Sequence, residues 1–226
     1  MLLLVTDTSG KNGCVALARA ANCSDFVEVI ESVPLAGGTF SAQLVPQISA
    51  LLEKHKFSKS DIDGFIVVSG PGSFTGLRVG LAVIKALAEV LAKPIVPVSL
   101  LEALAMAAAS EGPICTLMDA GRGEVYAGEY VVENRAVRRV REELVSKEEF
   151  LRRKERLIVI TPDSALAELV HKAGFPKEEV GLIGAETIAR LGVRKLRAGG
   201  TVSAEKLDAN YVRSDAEIFG KLAPSS

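Results

Sequence analysis

Apolar positions fall either in short unbroken runs or at helical spacing, and the two kinds are interleaved along the chain. Leu2–Thr6 is an apolar run stopped by Asp7-Thr8-Ser9-Gly10. Gly13–Arg19 and Phe26–Val33 read as further strands, parted by the turn-forming Asn22, Ser24 and Asp25. Leu44, Ile48, Leu51, Leu52 and His55 then recur at the helical period. Proline is accepted without loss only in a helix's first turn, so Pro46 predicts that the regular helix begins near Leu44 or kinks there. Phe65–Val68 is a buried strand, and Gly70-Pro71-Gly72-Ser73-Phe74-Thr75-Gly76 turns it into a long helix from about Gly76 to Leu91. Strand Ile95–Val98 and an Ala-rich helix, Leu100–Ala109, follow.

Around Ser110-Glu111-Gly112-Pro113 the pattern restarts. Ile114–Met118 is a strand ended by Asp119, followed by the turn Ala120-Gly121-Arg122-Gly123 and by strands Val125–Val131 and Ala136–Leu144. Helix Lys147–Arg153, strand Leu157–Thr161, helix Ser164–Ala173 and a last helix, Ala185–Arg197, precede a polar tail. The order of elements thus repeats at an offset of 112 residues, which sets Asp7 against Asp119 and Gly10 against Arg122. Three antiparallel strands followed by helix–strand units predict mixed sheets with helices on their faces. The expectation is an α/β chain of two related lobes, 1–110 and 111–226, the second the smaller and less regular.

Composition narrows the function. Among 226 residues, 27 Lys and Arg against 28 Asp and Glu leave a net charge of −1, which disfavours a chain built around a nucleic-acid backbone or an anionic membrane. Apolar residues are 48% and charged residues 24%, as in a globular protein with a real core. Trp is absent and aromatics are only 5%, so stacking on single-stranded nucleic acid is not the main task. Cys14, Cys23 and Cys115 lack metal-like spacing and read as reduced thiols of a cytoplasmic protein. Met1-Leu2-Leu3-Leu4-Val5-Thr6-Asp7 has no basic segment before its apolar run, unlike a signal peptide. No uncharged apolar stretch reaches the ~18 residues of a membrane span.

Four features bear on chemistry. The loop Gly70–Gly76, with Gly70, Gly72, Ser73, Thr75 and Gly76, joins a strand to a helix N-terminus, where backbone N–H groups and the helix dipole favour phosphate. It is neither a Walker A loop nor a GxGxxG loop, and the same residues equally make a tight turn capped by Ser73 or Thr75. The acids Asp7 and Asp119, with Thr8, Ser9 and Arg122 beside them, could hold Mg²⁺ through water at a nucleotide phosphate, or could simply begin their turns. His55 and His171 are the only histidines, and neither sits in a metal-ligand spacing; no nucleophile elbow is present. The helix after the glycine loop carries two apolar stripes, Leu77, Leu81, Ile84, Ala88 and Leu91 on one and Val79, Val83, Leu87 and Val90 on the other. A helix on one sheet needs a single apolar face, so the second meets either a partner or other helices of this chain. Gly72, Gly76 and Gly80 recur every four residues and permit close backbone approach.

The block Ser69-Gly70-Pro71-Gly72-Ser73-Phe74-Thr75-Gly76-Leu77-Arg78-Val79-Gly80 closely resembles the bacterial TsaB (YeaZ) family. The resemblance extends to Asp7-Thr8-Ser9, to Asp119-Ala120-Gly121-Arg122-Gly123-Glu124-Val125-Tyr126, and to Asn210-Tyr211-Val212-Arg213 with Asp215-Ala216-Glu217. It implies a two-lobed actin-like, Hsp70-like architecture of the ASKHA, RNase H-like class. It also implies a non-catalytic scaffold in the complex that makes N6-threonylcarbamoyladenosine at position 37 of ANN-decoding tRNAs. The partners implied are a TsaD-like catalytic paralogue and a TsaE-like ATPase, with a homodimer when alone and tRNA met only through the complex. Pairing would use the helices about Leu44–Lys54 and Gly76–Leu91, which makes Leu44, Ile48, Leu51, Leu77, Gly80, Leu81, Ile84 and Leu91 the candidate interface. Phe40-Ser41-Ala42-Gln43-Leu44 stands where TsaD-like relatives carry two metal-binding histidines, so no metal site and no catalytic residue is expected. The chain itself would require no cofactor, with Mg-ATP or Mg-ADP a ligand of the complex. The competing reading is an enzyme, a small ATP-dependent phosphotransferase or an M22-type, glycoprotease-like peptidase.

Overall fold

The computed structural model describes residues 1–21, 26–134 and 136–210. Asn22, Cys23, Ser24, Asp25 and the stretch 211–226, which includes Tyr211-Val212-Arg213 and Asp215-Ala216-Glu217, lie outside the described residues. The chain forms two compact units. In the first, strands β1 (Leu2–Asp7), β2 (Asn12–Ala20), β3 (Val27–Ala36), β4 (Gly64–Gly70) and β5 (Ile95–Ser99) make one sheet in the order β3-β2-β1-β4-β5. Strand β1 is its centre and is buried along its whole length, as six residues without a solvent-facing alternation require. It pairs antiparallel with β2 and parallel with β4.

Helices α1 (Phe40–Lys54) and α2 (Phe74–Leu91) cover one face of this sheet, over Leu2, Leu4, Val15, Leu17, Phe65 and Val67. In register across the other side run Ala16, Val5, Ile66 and Val96, all buried. Helix α6 (Ala185–Arg197) packs there, so closely that a Cβ on Gly192 would lie 2.5 Å from Ile66.

The second unit repeats the topology. Strands β6 (Gly112–Gly121), β7 (Glu124–Glu133), β8 (Ala136–Ser146), β9 (Ile158–Thr161) and β10 (Lys177–Glu179) stand in the order β10-β9-β6-β7-β8, the first sheet's order with β6 in the place of β1. Again the first three strands are antiparallel and the last two join in parallel. Helices α4 (Lys147–Leu151) and α5 (Ser164–Lys172) bury Phe150, Leu166 and Val170 against Cys115, Leu117, Val125, Ala127 and Val159. Two mixed five-stranded sheets of this order, flanked by helices, are a duplicated RNase H-like topology, the actin-like class anticipated from the sequence.

Three details depart from the sequence reading. The units are 1–103 with 183–209, and 104–182 with the remainder, rather than 1–110 and 111–226, because α6 buries its apolar stripe on the first sheet. Helix α3 (Leu100–Ala107) carries the chain across the boundary. Helix α1 starts at Phe40, ahead of Leu44, with Pro46 inside it. Pro46 and Ala42, whose carbonyl loses its bond to the missing N–H, are both exposed, so water can satisfy the oxygen. Strand β10 went unpredicted because Lys177-Glu178-Glu179 has no apolar alternation, and β9 recruits it by backbone pairing alone.

Candidate functional site

Strand β1 ends at Asp7, and its carboxylate folds the following residues onto itself. Oδ1 accepts from the Ser9 amide at 2.8 Å and from Ser9 Oγ at 2.6 Å, all buried. Burial raises the Asp7 pKa above the usual carboxylate range, and the two Ser9 hydrogen bonds oppose it. Strand β4 delivers the glycine loop to the same place through a cis Gly70–Pro71 bond. Ser73 caps α2, its Oγ accepting from Gly76 N at 3.3 Å, while its own amide donates to Ser9 O at 2.6 Å.

The glycine spacing now has a cause. A Cβ on Gly72 would lie 2.3 Å from Ser9 O, one on Gly76 2.1 Å from Thr8 O, and one on Gly80 2.3 Å from Thr8 Oγ1. Helix α2 therefore lies directly on the Asp7-Thr8-Ser9 turn, with only hydrogen atoms between. The Phe40 ring fills the adjoining space and reaches both Gly13 and Gly76. Asp7, Thr8, Ser9, Gly72, Ser73, Gly76 and Gly80 are thus one locus, with Gly70 at its edge and Thr75 exposed in the first helical turn. Within it, the amides of Ser73 and Gly76 are occupied by protein oxygens. Cys14 pairs with Asp7 in the ladder, and burial followed by the Asp7 charge pushes its thiol up to about 12, so it stays protonated.

The pseudo-equivalent Asp119 belongs to the second unit and is built differently. Its side chain is 44% exposed and pairs with Lys147 Nζ at 2.8 Å, where Asp7 is buried and holds its own turn. The hairpin tip is Arg122-Gly123, both at positive φ, as a two-residue turn between twisted strands requires. Asp7 is therefore a turn-forming acid and Asp119 a surface ion-pair partner. No group of three or more His, Cys, Asp or Glu among the described residues could hold a metal ion. No helix among them is long and apolar enough to cross a membrane.

The candidate interface changes sides. Leu44, Ile48, Leu51, Leu77, Gly80, Leu81 and Ile84 are buried in the first unit's own core, and Leu91 packs half-buried against it. The sheet takes this stripe because it carries the glycines that let α2 approach β1. The other stripe is covered less: Val79, Val83 and Leu87 are half-buried at the margin of the same core, and Val90 is 83% exposed, flanked by exposed Ala82 and Ala86. The adjoining α1 adds Val45, 51% exposed. The signal was present in the sequence, since Gly76 and Gly80 share a face with Leu77, Leu81 and Ile84.

The family model described as TsaD, tRNA N6-adenosine threonylcarbamoyltransferase, matches residues 34–209. The tRNA threonylcarbamoyladenosine biosynthesis protein TsaB of Bacillus subtilis (strain 168) is 36% identical over 135 residues, 59% of this chain. That match spans 57% of the relative, so the chain covers little more than half of its length. The protein of the same name from Escherichia coli (strain K12) is 27% identical over 227 residues, 95% of this chain and 96% of the relative. Among solved structures, an uncharacterized Pseudomonas aeruginosa protein with similarity to peptidase YEAZ superposes with a TM-score of 0.75 at 25% identity, covering 94% of this chain and 99% of that one. Family match, relatives and duplicated topology agree: the chain belongs to the TsaD-type family, on its TsaB (YeaZ) branch.

Proposed function

We propose that this chain is a non-catalytic subunit of a complex that forms N6-threonylcarbamoyladenosine at position 37 of ANN-decoding tRNAs. In this reading it scaffolds a TsaD-like catalytic paralogue, works with a TsaE-like ATPase, self-associates when alone and meets tRNA only through the complex. The names of the relatives supply the pathway. The observation that carries the scaffold role is the apolar stripe on α2 that the first unit's core covers only in part, ending in the exposed Val90 and continued by Val45 of α1. An exposed apolar patch on paired helices is the usual mark of a protein–protein contact. The Asp7 locus supports the absence of chemistry in this chain. Its acid is tied to Ser9, its neighbouring thiol is protonated, and two of its loop amides are occupied. Mg-ATP or Mg-ADP is then a ligand of the complex rather than a cofactor of the chain.

Reconstitution tests this directly. The purified chain alone is expected to give no modified tRNA and no useful ATP hydrolysis, and the chain with its TsaD-like and TsaE-like counterparts to give modified tRNA. Turnover by the chain alone, abolished by Asp7→Ala, would establish the enzymatic alternative instead.

A further inference from the structure

The chain leaves α6 through Gly199, whose φ of 76° turns it out of the helix. Gly199 N donates to Leu196 O at 3.1 Å and Gly200 N to Lys195 O at 2.8 Å. Residues 201–209 then meet the edge strand β5 at a single antiparallel bridge, Ile95 opposite Val202. Val202 N donates to Ile95 O at 2.9 Å, the one backbone hydrogen bond that joins this stretch to the sheet among the described residues.

The ladder is stopped on both sides of that bridge. Phe65 N takes Pro94 O, so Pro94 and Val96 face β4 while Ile95 and Pro97 face outward. The next antiparallel pair in one direction would be Pro97 with Gly200. Pro97 has no N–H to give, and the Gly200 amide is already held by Lys195 O. In the other direction it would be Lys93 with Ala204, and the Lys93 amide is committed to Ala88 O at 3.1 Å. What else seats the stretch on the first unit is apolar. Leu207 is 1% exposed in the core that α1 and α2 cover, with Val202, Ala204 and Ala209 half-buried against it.

At Asn210, the first residue of the Asn210-Tyr211-Val212-Arg213 block, the chain passes into the second unit. Its side chain is fixed at once: Nδ2 donates to Glu142 Oε2 at 2.5 Å. The other carboxylate oxygen, Oε1, accepts from Tyr130 Oη at 2.5 Å. Arg139 stands 3.8 Å from Oε2, and the Glu142 side chain is only 5% exposed on β8. A carboxylate so far out of water needs donors on both oxygens, and the second of them comes from Asn210.

We propose that residues 201–209 form a strap that opens and closes as a unit over the margin of the first unit's core, with Asn210 and Glu142 as its latch. Open, it uncovers the seat of Leu207 and the outer edge of β5; closed, it seals both. With one ladder bond and one fully buried side chain on the sheet, the strap opens without unfolding β1.

Native-state hydrogen exchange on the whole chain tests this, read at the Val202 and Leu207 amides and along β1. In the parent chain, Val202 and Leu207 are expected to exchange at least tenfold faster than β1. Asn210→Asp sets carboxylate against carboxylate and is expected to speed both strap amides by a further tenfold or so, with β1 unchanged. Glu142→Gln/Asn210→Asp reverses the pair, the new amide donating to the new acid, and is expected to bring the rates back to about the parent values. Asn210→Ala removes the donor without adding a charge and takes the place of Asn210→Asp if that variant lacks a cooperative melt. Strap amides that exchange together with β1 overturn the proposal. So do rates unmoved by loss of the Asn210 donor, or a double variant that fails to restore them.

Discussion

At the scale of single residues, the Asp7 locus is governed by one buried carboxylate and three absent side chains. Burial raises the Asp7 pKa in the folded chain, so the folded state holds this proton more tightly than the unfolded one. The stability it contributes is full below the unfolded carboxylate value, near ~3.9, and is lost as pH rises through the higher folded value. Urea unfolding across the mildly acidic range is expected to show a shallower loss of stability with rising pH in Asp7→Asn than in the parent; an unchanged slope would count against a raised pKa. Gly76→Ala sets a methyl group against the Thr8 carbonyl and is expected to cost about 3 kcal/mol. Gly10→Ala, whose nearest neighbour would be 3.7 Å away, is the control and should stay within about 0.5 kcal/mol. The four-residue recurrence of these glycines was legible in the sequence as a demand for close approach. What they approach was not, because Thr8 and Ser9 lie more than sixty residues earlier, beyond β2, β3, α1 and β4, and only the β1–β4 pairing brings them in.

Among the elements, α2 shows how far periodicity reaches. It revealed two apolar stripes but could not say which the sheet would take, since both have the right spacing. Strand pairing and the glycine contacts decide it. Leu81→Glu or Ile84→Glu therefore buries an unpaired charge in the first unit and is expected to cost about 4–5 kcal/mol, enough to lose the cooperative melt in a chain of ordinary stability. Val90→Glu and Ala86→Glu fall on exposed positions and should leave melting within about 0.5 kcal/mol of the parent. If the outward stripe is the docking surface, the same two variants lower self-association and binding to a TsaD-like partner by tenfold or more, read by sedimentation and calorimetry. Binding left intact by both would remove the physical basis of the scaffold reading. Most other elements were legible because their apolar runs are either continuous or amphipathic; β10 was not, because its only structural asset is an edge to pair with.

On the scale of the whole chain, the duplication of one sheet topology was readable from the order of elements, but the allocation of α6 was not. Its amphipathic pattern announces a helix and says nothing about which sheet it covers. Without it, Val5, Ile66 and Val96 lose their cover, each worth about 1.5–3 kcal/mol of burial. A fragment of residues 1–110 is thus expected to show no cooperative thermal transition, and a peptide spanning 183–209 added in trans to restore one. The same arrangement orders events during synthesis. The first unit's strands emerge from the ribosome first, yet their uncovered face must wait until α6 has been translated. Strands β6 to β10 and helices α4 and α5 of the second unit, made in between, are already available by then. The part of the protein that is begun first must wait for α6, and for that interval its apolar face is what a chaperone would meet.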